Sequence, residues 1–141
     1  MDTSPQYIKL CEKAEEIQET KRQSGLIHGD YVYAQPNSDF TFFTGKVELF
    51  TGNPNLKYGL LGCVFIPRQD QLQEMMMVST KYVMLYHFDL FYHNLYYDWK
   101  PTDSMFTSME QMFTSMEQLW LAFVMKEKYG KVWSRTEWIT S

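Results

Sequence analysis

The heptad MFTSMEQ at residues 105–111 is repeated without change at residues 112–118. A side-by-side copy of this kind is an in-frame duplication that the fold has absorbed. Seven residues are close to two helical turns, so an inserted heptad keeps an apolar stripe nearly in register, with a drift of only about 20°. The duplication therefore points to a helix that could begin at either copy. Thr107-Ser108-Met109-Glu110 and Thr114-Ser115-Met116-Glu117 each have the form of a capping box. Met109, Met112, Phe113, Met116, Leu119, Trp120 and Phe123 then recur at three- and four-residue spacing. We expect a helix over about 107–129, started by the first copy at a modest propensity cost for the second Thr-Ser pair, with Thr114 as the alternative start. Gly130 follows as C-cap, with Lys126 and Lys128 in the favourable last turn.

The remainder reads as an α+β chain. Ser4-Pro5 is an N-cap followed by proline at the first helical position, predicting an N-terminal helix to about Lys21. Ile8, Cys11, Ala14 and Ile17 would form its narrow apolar stripe, and Glu12, Glu15, Glu16 and Glu19 an acidic exposed face. From Gly29 the period changes to two, with turn residues at Pro36-Asn37 and Gly52-Asn53-Pro54. Strands near 30–34, 40–50 and 60–66 would make a small antiparallel β-meander, with Gly45 bending the middle strand. After Pro67, Asp70 is placed to cap a helix, and the absence of Gly and Pro from 71 to 99 predicts one helix over about 70–98. Tyr82 to Tyr97 also contains many residues that favour strands, and its aromatic residues run all round the helical wheel. That distribution implies burial on several sides, an oligomer contact or a strand. The tail VWSRTEWI predicts a short terminal strand or hairpin whose Trp133 and Trp138 pack back on the body.

A chain of 141 residues is expected to form a single domain over 1–141, and 17% aromatic residues imply an aromatic core. A net charge of −4 argues against a broad phosphate-binding surface. The opening MDTSPQYIKLCEKAEE lacks the apolar run of a secretory leader, and LWLAFVM at 119–125 is too short to span a bilayer. These features predict a cytoplasmic protein without membrane contact, in which Cys11 and Cys63 are buried thiols.

No phosphate loop, dinucleotide turn, nucleophile elbow or cysteine-rich metal pattern is present in the sequence, and we expect neither catalysis nor a cofactor. His87, Asp89 and His93 are the candidate metal or acid–base group. In a strand they share one face; in a helix they point roughly 120–160° apart and the site collapses. Arg68, Gln69, Gln71 and Gln73 lie at a strand-to-helix junction, where they either support the fold, with Arg68 paired to Glu74, or face a partner through their amide and guanidinium groups. The methionines at 75–77 and 105–125 either fill a core or form an adaptable surface.

Two blocks, IPRQDQLQEMM at 66–76 and SMEQLWLAFVMKEKYGKVW at 115–133, with Glu137-Trp138, resemble a family of small proteins carried by phages and prophages of Gram-positive bacteria. They cover about a fifth of the chain, and Lys13 to Gln18 followed by Gly29-Asp30 is similar to the family's opening. The extra heptad is where this chain departs from that pattern. The resemblance implies a phage or mobile-element setting in a bacterial host and carries no activity with it. Together these readings predict a non-catalytic binding protein whose partner is a host or phage protein, with homo-oligomerisation compatible. One version is an inhibitor of a host defence or nucleic-acid-handling enzyme, in which Glu12, Glu15, Glu16 and Glu19 imitate phosphate in a basic groove. Two alternatives stand beside it. One is a single-stranded nucleic-acid-binding accessory protein using Tyr31, Tyr33, Phe40, Phe42 and Phe43, although only Lys46 and Lys57 lie near those rings. The other is a protein that sequesters a small molecule in an apolar pocket between the sheet and the aromatic helix.

Overall fold

A computed structural model describes residues 1–35, 45–51, 63–77, 80–98 and 112–141. Within them the chain is α+β, with antiparallel strands and flanking helices. The expected turns at 36–37 and 52–54 and the first heptad copy lie outside the described residues, as do Phe40, Phe42, Phe43 and Lys57.

Helix α1 spans Pro5–Lys13, and Ser4 Oγ accepts the Tyr7 N–H at 3.2 Å, as the Ser-Pro signal predicts. The helix does not run on to Lys21. Ala14 leaves helical geometry (φ −82°, ψ 68°), and a second helix, α2, spans Glu15–Ser24. The break brings Gln18 inward, where its amide donates to Cys11 O at 3.0 Å and Phe65 O at 2.9 Å and accepts the Phe65 N–H at 2.8 Å. One buried side chain thus serves the carbonyl at the helix break and both backbone groups of Phe65.

Strands β1 (Tyr31–Ala34), β2 (Val47–Leu49) and β3 (Cys63–Ile66) form a sheet ordered β2-β1-β3, antiparallel throughout. A meander would place β2 centrally; here β1 is central and carries both ladders. β3 is buried along its whole length, which fits the unbroken apolar run CVFI and the packing of α1 against it.

The single helix expected over about 70–98 is two helices, α3 (Gln69–Met76) and α4 (Lys81–Asp98). Met77 leaves helical geometry at ψ 91°, and α4 restarts with the Thr80 hydroxyl accepting the Val83 N–H at 3.3 Å. Absence of Gly and Pro permitted one helix without requiring it. The last helix, α5, spans Met116–Tyr129. Phe113 to Ser115 are not helical, so no continuous helix runs from Thr107. The second heptad copy supplies the start: Ser115 Oγ accepts the Gln118 N–H at 3.2 Å. Gln118 reaches back to accept the N–H of Thr114, one residue before the cap, at 3.1 Å, so the glutamine and not Glu117 makes the return bond. Gly130 adopts the left-handed C-cap conformation (φ 65°, ψ 30°). A hairpin, β4 (Lys131–Trp133) and β5 (Trp138–Thr140), closes the chain.

The core lies between α1, β3, α3 and α5, with Tyr7, Leu10, Phe65, Leu72, Leu121 and Phe123 essentially inaccessible. α5 is its axis: Trp120 to Met125 are all buried, so the helix is apolar nearly all round rather than striped. α4 rests on α5 through aromatic rings. Phe88 stacks on Trp120 (centroids 4.1 Å apart, planes 10°), and Phe91 meets Phe123 at 5.2 Å.

Candidate functional site

The described residues present four regions where side-chain chemistry gathers. The first is the acidic face, which the Ala14 break divides between two helices. Glu12 accepts a hydrogen bond from Gln35 Nε2 at 3.1 Å, and Glu16 is ion-paired with Lys131. Glu19 accepts from Arg22 at 2.7 Å and Gln23 at 3.3 Å, and the Arg22 hydrogen bond holds its carboxyl below the usual range. Glu15 is exposed. Three of the four carboxylates are therefore engaged by the chain's own donors, and the face is not the row of unopposed charge that phosphate mimicry needs.

The second region is the junction at Arg68. Its guanidinium binds the Asp70 carboxylate through two hydrogen bonds (2.9 and 3.1 Å) and also donates to Gly29 O. This replaces the expected Arg68–Glu74 pair. Arg68 itself is the N-cap of α3, its N–H bonded to Gln71 Oε1 at 2.9 Å, so Asp70 pairs with arginine instead of capping. Gln71 Nε2 donates to Asp30 Oδ1 at 2.8 Å, and Gln69 is half-buried. Arg68 and Gln71 thus tie α3 to the entrance of β1.

Behind this junction lies a group to which the sequence pattern assigned no role beyond a Gly-Asp resemblance. Asp30 is buried, ion-paired with Lys21 at 2.6 Å, and its carboxylate also accepts the Ile27 N–H at 2.9 Å. Lys21 in turn lies over the Phe65 ring, 4.9 Å from its centroid. All the polar capacity here is satisfied internally, which marks it as structural.

The third region is α4. Being a helix, it disperses the His87, Asp89 and His93 group. Asp89 and His93 stand one turn apart, with 3.9 Å between Asp89 Oδ1 and His93 Nδ1 and both exposed, and His87 lies on another face. Among the described residues no three His, Cys, Asp or Glu side chains are placed to hold a metal ion. Met84, Phe88, Phe91 and Tyr92 face the body of the protein. The opposite stripe is apolar and uncovered: Tyr82 is 80% exposed, Leu85 53%, Tyr86 55% and Leu90 41%. The aromatic residues from Tyr82 to Tyr92 are thus divided between a packed face and a bare one.

The fourth region is a cavity of about 580 Å³ bounded by α4, α5 and the β4–β5 hairpin, with aromatic walls from Phe91, Phe113, Trp133 and Trp138. Trp138 is fixed by donating its indole N–H to Leu10 O at 3.0 Å, and Trp133 lies against it with centroids 5.1 Å apart. The polar groups at the cavity among the described residues are Asn94, Lys126 and Glu127. Only the aromatic content of the tail and of α4 hinted at this site; its assembly depends on the hairpin register, which no local pattern encodes.

Both cysteines are buried thiols, and burial pushes the Cys63 thiol up to about 11 and Cys11 higher still. Neither is poised as a nucleophile. No helix among the described residues is long and apolar enough to cross a membrane. Comparison with models of known families, with curated proteins and with solved structures finds no match to this chain.

Proposed function

We propose that this chain is a non-catalytic binding protein of a phage or mobile element, acting in the bacterial cytoplasm on a host or phage protein. The observation that carries the reading is the bare stripe of α4. A helix that packs on its neighbour by one face and leaves tyrosines and leucines exposed on the other has the composition of a protein-binding surface, in which aromatic residues supply contact area at low entropic cost. From Tyr82 to His93 the stripe runs about 16 Å, the length of an interface core contributed by one helix. The phage setting comes from the resemblance at 66–76 and 115–133.

Inhibition of a host enzyme by charge mimicry receives less support than a hydrophobic contact, because Glu12, Glu16 and Glu19 already have partners. Stacking on single-stranded nucleic acid is also less favoured, since Tyr31 and Tyr33 are half-buried beside the core. The test is affinity capture from nuclease-treated lysate of a Gram-positive host, with the wild-type chain and the Leu85→Glu/Leu90→Glu variant side by side. One stoichiometric protein captured by the wild type and lost with the variant is the expected result. Capture of nothing, or capture indifferent to the two substitutions, would contradict the reading.

A further inference from the structure

We propose that the cavity between α4, α5 and the terminal hairpin is a binding site for a small organic cation carrying an aromatic ring, an arylalkylammonium. The site goes beyond the protein-binding reading and uses different side chains of α4, Phe91 and Asn94 rather than Tyr82, Leu85, Tyr86 and Leu90. Three observations converge on this class of ligand.

The first is shape and wall chemistry. A volume of about 580 Å³ lies within the range of small-molecule sites, and walls of Phe91, Phe113, Trp133 and Trp138 suit a flat ring. Trp138 is pinned by its hydrogen bond to Leu10 O, so one wall is set before a ligand arrives.

The second is charge. Among the described residues, Lys126 and Glu127 are the charged side chains at the cavity. The Lys126 ammonium donates to Ser141 Oγ at 2.9 Å and is held toward the end of the chain. The Glu127 carboxylate has no hydrogen-bond or ion-pair partner among the described residues. It is exposed, and it also lines a neighbouring cavity of about 320 Å³ beside His87 and Phe123, so it stands between two hollows. A carboxylate beside aromatic faces, whose π-electrons are themselves attractive to cations, selects an ammonium over a carboxylate ligand.

The third is position on the helix. Lys126 and Glu127 belong to the last turn of α5, where the helix dipole presents its negative end, again favouring a cation. The ring would enter against Trp133 and Phe91, and the ammonium would reach Glu127, with the Asn94 amide available as an acceptor.

The experiment uses three probes of nearly one shape and different charge: 2-phenylethylammonium, 2-phenylethanol and phenylacetate. Binding to the full chain is followed by the indole N–H resonances of Trp133 and Trp138 in a titration to about 10 mM, a range set by the weak affinity of ligands this small. The expected result is a saturable shift of the Trp133 resonance with the ammonium, at least about tenfold tighter than with phenylacetate. Glu127→Gln should reduce that preference to less than about threefold while leaving 2-phenylethanol binding unchanged, which separates loss of charge from loss of fold. Three outcomes overturn the proposal: no saturable shift with any probe, equal binding of the alcohol and the ammonium, or tighter binding of phenylacetate. None of them bears on the α4 stripe, whose test reads a different pair of residues.

Discussion

Lys21 Nζ lies 2.6 Å from the Asp30 carboxylate, joining α2 to the residue that precedes β1. The side chains are 14% and 1% exposed, so the pair is shielded on the carboxylate side. Gln71 and the Ile27 N–H complete the carboxylate's hydrogen bonds and bring α3 to the same point.

Removing the carboxylate strands a half-buried ammonium and two donors at once. Asp30→Ala should therefore destabilise the fold by about 3 kcal/mol, the cost typical of breaking a buried pair from one side. Urea denaturation would read this directly, and a thermal melt should fall by about 10 °C for a chain of this size.

Gln18 carries a similar burden without charge. Gln18→Ala leaves the Phe65 N–H and the Phe65 and Cys11 carbonyls without their side-chain partner in the core, a loss of about 2 kcal/mol. Gln18→Glu should be no milder, because a carboxylate accepts the Phe65 N–H but cannot donate to the two carbonyls. Chemical denaturation of both variants checks the pair of expectations.

Gly130 ends α5 with φ 65°, and nothing lies within 4 Å of where a Cβ would project. The penalty for Gly130→Ala is consequently backbone strain alone, about 1 kcal/mol. Gly130→Asn should recover part of it, since asparagine tolerates the left-handed region. Comparing the two melts distinguishes conformational strain from a steric clash, which would order the variants by size.

Acid stability depends on Asp2. Burial raises its pKa, but hydrogen bonds from Ser115, Ser4 and Gln118 outweigh that and hold it below the ordinary 3.8. A carboxyl with a depressed folded-state pKa contributes stability that is fully present above its unfolded value and is lost as pH falls through the folded one. Asp2→Asn should thus reduce stability at pH 7 and flatten its decline below about pH 4, measured by denaturation at a series of pH values.

Local chemistry made much of the fold legible. Ser4-Pro5 marked the start of α1, the period-two segments marked β1 to β3, and Gly130 with its preceding lysines marked the end of α5. Where the reading departed from the structure, a long-range contact decided the matter. Ala14 is a good helix former and gave no sign of a break; Gln18, bonding to a strand 47 residues away, accompanies it. The choice between the two heptad copies was settled by Asp2, whose carboxylate receives Ser115 Oγ at 2.5 Å and Gln118 Nε2 at 2.7 Å, fixing the second copy as the cap. Strand order was likewise invisible, because alternation specifies a face and not a neighbour.

The candidate sites divide along the same line. That His87, Asp89 and His93 would scatter on a helix followed from spacing alone. The engagement of Glu12 by Gln35 and of Glu16 by Lys131 did not, since both partners come from elsewhere in the chain.

The most direct measurement places benzoylphenylalanine at Tyr86, in the middle of the bare stripe of α4, and irradiates the protein inside a Gram-positive host. A single covalent adduct of defined mass is expected, with the same probe at Glu137, exposed in the hairpin turn, giving none. An adduct at the mass of two copies would identify the partner as this chain itself. No adduct from position 86, or the same adducts from both positions, would contradict the assignment of α4 as the binding surface.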